Sequence, residues 1–96
     1  MMDKFNYKNL CSIKGNVVSL MDEHNNTVEL TVAEVNAAKE HDKDKECFSV
    51  LLTGQPSYLL SQGTYNVKHD VIGDVPVFIS PNSETEYEII INRQVQ

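Results

Sequence analysis

With 96 residues, 41% hydrophobic and 23% charged, the chain has the size and composition of one ordinary globular domain spanning residues 1–96, not those of a disordered tail or a disulfide-rich scaffold. Its 8 Lys and Arg against 14 Asp and Glu leave a formal charge of −6. The lysines are scattered and Arg93 is the only arginine, so nucleic acid and anionic membrane are poor partners. No apolar run fits a signal peptide or the ~20 residues of a membrane span, and Cys11 and Cys47 form no C-x-x-C. The expectation is a soluble, cytoplasmic protein with two reduced thiols.

In chain order, Phe5, Tyr7 and Leu10 are spaced unlike a strand and predict a short N-terminal helical turn, with Gly15 as its stop. A lone turn is unstable in water, so these three side chains are expected to be buried against the rest of the domain. Residues 16–21 are apolar on both faces and read as a first strand. Val28, Leu30 and Val32 alternate with Thr27, Glu29 and Thr31, the mark of a second strand with one wet face. Between the two, Asp22-Glu23-His24-Asn25-Asn26 supplies a turn, because Asn tolerates the left-handed backbone a tight hairpin demands.

Residues 36–46 hold the mixed-charge run Lys39-Glu40-His41-Asp42-Lys43-Asp44-Lys45-Glu46 and read as a solvated loop or frayed helical turn. A doubly apolar strand follows at 47–53. Residues 54–63 carry Pro56, Tyr58, Leu59 and Leu60, apolar enough to lie back on the body of the domain. Tyr65 and Val67, then Val75, Val77 and Ile79, then Tyr87, Ile89 and Ile91 mark one face each of three more strands. Gly73 and the segment Pro81-Asn82-Ser83 are the turns between them. Turns this short imply antiparallel neighbours, since parallel strands need long crossovers. The predicted fold is all-β: a small antiparallel six-stranded barrel or strongly twisted meander sheet with a short N-terminal helical turn.

The candidate chemistry is thin. Cys47 with His69 is the one Cys–His combination worth testing, but Cys47 follows an acidic run and opens an apolar strand, which suits an inert thiol. His69 and Asp70 are adjacent on a strand, so their side chains diverge. Asp42-Lys43-Asp44-Lys45-Glu46 resembles the start of a calcium loop, yet Cys47 and Thr53 stand where the loop's Gly and its bidentate Glu are required. Glu84, Glu86 and Glu88 recur every second residue as a wet strand face that discourages edge pairing. His24 and His41 sit in polar loops without ligand spacing. The glycines have no phosphate-loop context. No catalytic, cofactor-binding or metal-binding residue is expected, and no enzyme.

From Cys47 onward the order Phe48-Ser49-Val50-Leu51-Leu52, Gly54, Gln62-Gly63-Thr64-Tyr65, His69, Ile72-Gly73, Phe78-Ile79, Pro81 and Tyr87 resembles an uncharacterised family of small bacterial domains, a domain of unknown function. The likeness covers most of the chain. It departs at Thr53-Gly54-Gln55 and at Ile72, and it implies a fold and a bacterial or phage origin but no activity. Gln62, Gly63, Tyr65, His69 and Gly73 are then structural: Gly63 at a positive φ, Tyr65 partly buried like Tyr87, and His69 bonding backbone at a hairpin end.

Ile89-Ile90-Ile91 and Val77-Phe78-Ile79 set a further problem. Whichever face the core claims, Ile90 and Phe78 point the other way. Either a partner covers them, which makes both candidate interface residues, or Phe5, Leu10, Leu59 and Leu60 form a second internal layer. The leading expectation is a non-enzymatic interaction or accessory module that binds a protein partner or self-associates as a homo-oligomer. A small-ligand-binding barrel is the alternative, and an enzyme of unrecognised type the third.

Overall fold

Period-two alternation builds six antiparallel strands in the computed structural model, which describes residues 4–57 and 59–94. These are β1 (Val17–Met21), β2 (Thr27–Ala37), β3 (Lys45–Thr53), β4 (Gly63–His69), β5 (Gly73–Pro81) and β6 (Glu86–Gln94), preceded by a short helix, α1 (Tyr7–Ser12). The strands close into a barrel in the order β1-β2-β3-β6-β5-β4, so the barrel alternative holds. Its spatial order departs from a simple meander at one point. After β1, β2 and β3, the chain returns to lay β4 beside β1, which is a Greek key.

The inward side chains fill the barrel. Val18 and Leu20, Val28 and Leu30, Val50 and Leu52, Val75 and Ile79, and Tyr87 and Ile89 are all buried. Each such side chain contributes about 1.5–3 kcal/mol by leaving water. β2 is longer than its alternation suggests. The register against β3 shifts between Val32 and Glu34, a β-bulge that moves the inward position from Val32 to Val35 and lets the strand run on to Ala37. The expected loop over 36–46 therefore shrinks to 38–44.

Two elements close the mouths. At one, Asn6 caps α1 by accepting the Asn9 N–H at 2.8 Å, and Gly15, at φ 89°, ends the turn and donates its N–H to the Val32 carbonyl at 2.8 Å. Phe5, Leu10 and Ile13 are buried there. Tyr7, expected inside, is only half-buried. Ile13 takes that place, because the helix turns Tyr7 toward His41 and Phe48, with ring centroids 4.6 and 5.6 Å away. At the other mouth the connection 54–62 crosses over, and Leu60 is buried with its N–H donated to the Tyr87 hydroxyl at 3.0 Å. Leu59 stays exposed, so only part of this segment lies back on the body.

Turn chemistry follows expectation at Asn25 (φ 65°) and Gly73 (φ 77°). It does not at Gly63, which begins β4 without a positive φ, and a Cβ there would meet only the Tyr65 ring at 3.9 Å. Gly54 is the constrained one: a Cβ would stand 2.6 Å from Leu30 Cδ2 and 3.6 Å from Tyr87 Cε1.

Pairing is uneven around the barrel. β3 and β6 pair continuously from Lys45–Gln94 to Thr53–Glu86. β5 and β6 pair only at Ser80–Glu88 and Pro81–Tyr87, then part. The N-terminal segment reaches both strands where they are apart: Arg93 Nη2 donates to the Phe5 carbonyl at 2.6 Å, and Lys4 lies against Gly73.

Candidate functional site

Alternation places Asp74, Pro76, Phe78 and Ser80 on the outer face of β5, and Glu86, Glu88, Ile90 and Asn92 on that of β6. Phe78 and Ile90 lie two residues beyond the Ser80–Glu88 pairing, where the two strands part, and share the outer face of these neighbouring strands. Phe78 is 55% exposed and Ile90 68%. On their far sides, Thr64 of β4 pairs with Phe78 and Ser49 of β3 with Ile90, so the two rings of contact around them are small and polar. An open cleft of about 280 Å³ runs beside Ile90, with Ala38, Glu40, Ser49, Glu88 and Asn92 among its walls.

The face is acidic. Asp74 is paired with Lys68 at 3.8 Å. Among the described residues no Lys, Arg or His comes within ion-pair distance of Glu40, Glu86 or Glu88. Glu84 lies in the turn before β6 and is not part of the strand's face.

Most of the remaining candidates make local hydrogen bonds within the fold. His69 Nδ1 accepts the Val71 N–H at 3.0 Å, which ties off the β4–β5 hairpin. The histidine beside Cys47 is His41, not His69. His41 Nδ1 accepts the Cys47 backbone N–H at 3.1 Å, so that nitrogen is not a base for the thiol, which itself donates to Asn92 Oδ1 at 3.4 Å. Both cysteines are free thiols. In the charge run, Asp42 Oδ1 accepts the Asp44 N–H at 2.8 Å in an Asx turn. Among the described residues no group of three or more His, Cys, Asp or Glu could hold a metal ion. Gln62 is exposed, and the Tyr65 hydroxyl donates to the Ser61 carbonyl at 2.7 Å. Burial raises the Tyr65 phenol above its ordinary value, with Glu23, Asp22 and Tyr87 adding to it. The neighbouring Cys11 raises the Tyr7 phenol in the same direction.

One network escaped the sequence. Glu46 and Arg93 face each other across β3 and β6, with Arg93 Nε and Nη2 donating to Glu46 Oε1 at 2.9 and 2.6 Å. Glu46 Oε2 also accepts the Tyr7 N–H at 3.0 Å. Glu46 reads as one member of a solvated charge run until the β3–β6 register is known, and the solitary Arg93 was the only signal available.

Compared with known families, residues 5–91 match the domain of unknown function DUF6916. The chain belongs to this family. No curated protein and no solved structure matches it. The DUF6916 match extends from the buried Phe5 to Ile91, so it takes in both mouth closures, the turn residues and the Phe78–Ile90 face. No described helix is long and apolar enough to cross a membrane.

Proposed function

We propose that this chain is a non-enzymatic interaction or accessory module, of bacterial or phage origin and acting in the cytoplasm, that docks a protein partner on the outer face of β5 and β6. The observation that carries this reading is the exposure of Phe78 and Ile90 on the outer faces of the neighbouring strands β5 and β6. Full burial of such a side chain contributes about 1.5–3 kcal/mol, and covering the part of each still in water contributes the larger share of it, which suits them to the centre of an interface. The side chains that could have covered them from within are used elsewhere: Phe5, Leu10 and Leu60 are in the core, and Leu59 is itself exposed. The ligand-binding alternative has less support, because Tyr87, Leu52, Ile79 and Ile89 occupy the interior it would need.

The test places a photo-crosslinking residue at Asn92, beside the patch, in the cells that make the protein. A discrete adduct is expected that Ile90→Asp abolishes while the melting temperature of the chain changes little. An adduct indifferent to Ile90→Asp, or a variant that unfolds, overturns the reading.

A further inference from the structure

Resting on the docking face proposed above, we infer that its partner is a different protein, one that sets Lys or Arg side chains around an apolar residue, and not a second copy of this chain. Three observations carry this. The outer faces of β5 and β6 hold Asp74, Glu86 and Glu88 and no basic residue. Asp74 is already paired with Lys68, whereas Glu86 and Glu88 precede Ile90 at two-residue spacing on the same face and Glu40 lines the same cleft as Ile90. The apolar centre is small: two exposed side chains with Pro76 beside them and the half-buried Leu51 opposite Glu88, bounded by Thr64, Ser49 and Ser80.

A two-fold dimer through this face would set Glu86 and Glu88 of one copy near those of the other, with no cation on the outer faces of β5 and β6 to offset them. A stable interface buries upwards of ~1,000 Å², so it would have to extend past the two apolar side chains onto those same carboxylates. A partner bearing Lys or Arg meets both conditions at once: its apolar surface covers Phe78 and Ile90, and its cations sit over Glu86, Glu88 and Glu40. Such a rim speeds encounter and selects against acidic proteins.

Two synthetic peptides that differ only in charge test this, one alternating lysine with leucine and one alternating glutamate with leucine. Each is titrated into the isotopically labelled chain and followed by amide chemical shifts. The lysine peptide is expected to perturb residues 76–80 and 88–92 saturably, and the glutamate peptide to leave them unmoved. Glu86→Lys combined with Glu88→Lys should change the preference between the peptides by about tenfold or more. Equal response to both peptides, shifts centred elsewhere, an unchanged preference in the double variant, or concentration-dependent dimers of the wild type centred on this face each overturn the inference. Phe78→Ser with Ile90→Ser separates the two claims, its fold checked by circular dichroism. If this variant binds the lysine peptide undiminished, the apolar centre falls and the docking reading with it. If only the charge swap has no effect, the docking face stands and the basic partner falls.

Discussion

Gly54 and Gly63 bound the same connection, yet only the first is held by its surroundings. At Gly54 the close approach of Leu30 and Tyr87 leaves no room for a methyl group. Leu30 is packed in the core and cannot swing aside freely. Gly54→Ala should therefore destabilise by about 1–3 kcal/mol, as overpacking does, while Gly63→Ala should be near neutral. Chemical denaturation of the two variants checks this, and a larger loss at Gly63 would reverse the assignment. Tyr65 carries a different expectation. Its phenol is raised above 10.0 in the folded chain, so the fold holds that proton more tightly than the unfolded chain does. Stability from this group is then fully present below pH 10.0 and is lost as pH rises through the raised value. Melting temperatures followed into alkaline solution should fall less steeply in Tyr65→Phe than in the wild type.

At the scale of single elements, α1 is too short to persist on its own, and its attachment is polar as well as apolar. Glu46 receives Arg93 and the Tyr7 N–H, and Arg93 also holds the Phe5 carbonyl. With Glu46 14% and Arg93 28% exposed, the pair is sheltered but not dry. Arg93→Gln should cost about 1.5–3 kcal/mol and should speed amide exchange in residues 5–13 before it does so in the strands. Uniform loosening would mean that the network holds the barrel and not the helix. None of this could be read from the sequence, because the pairing depends on β3 lying beside β6, and residues so far apart along the chain carry no local pattern for it. The bulge at residue 33 hid the second half of β2 for a related reason, since one extra residue breaks the alternation that marks a strand. What depends only on local alternation was legible: the six strands, the Gly73 turn, and the outward direction of Phe78 and Ile90. Gly63 was misread because a turn glycine and a strand glycine look alike until φ is known.

For the molecule as a whole, the strand order divides the chain into two three-stranded meanders, β1-β2-β3 and β4-β5-β6, joined only by residues 54–62. Each meander is stitched internally by short turns, and the two meet through the long β3–β6 ladder and the brief β1–β4 pairing. Nothing in those ladders requires both meanders to come from one molecule. If 54–62 were too short to cross the mouth, β4-β5-β6 of one chain could fill the place of the same strands in another, with every ladder kept and only the hinge changed. Deleting residues 55–57 should therefore convert the protein at high concentration into an exchanged dimer that separates to monomers only through unfolding, as size-exclusion chromatography before and after denaturant treatment would report. A shortened chain that remains monomeric would mean that the crossing has slack to spare. The connection that closes the barrel would thus also be what keeps its two halves in a single copy.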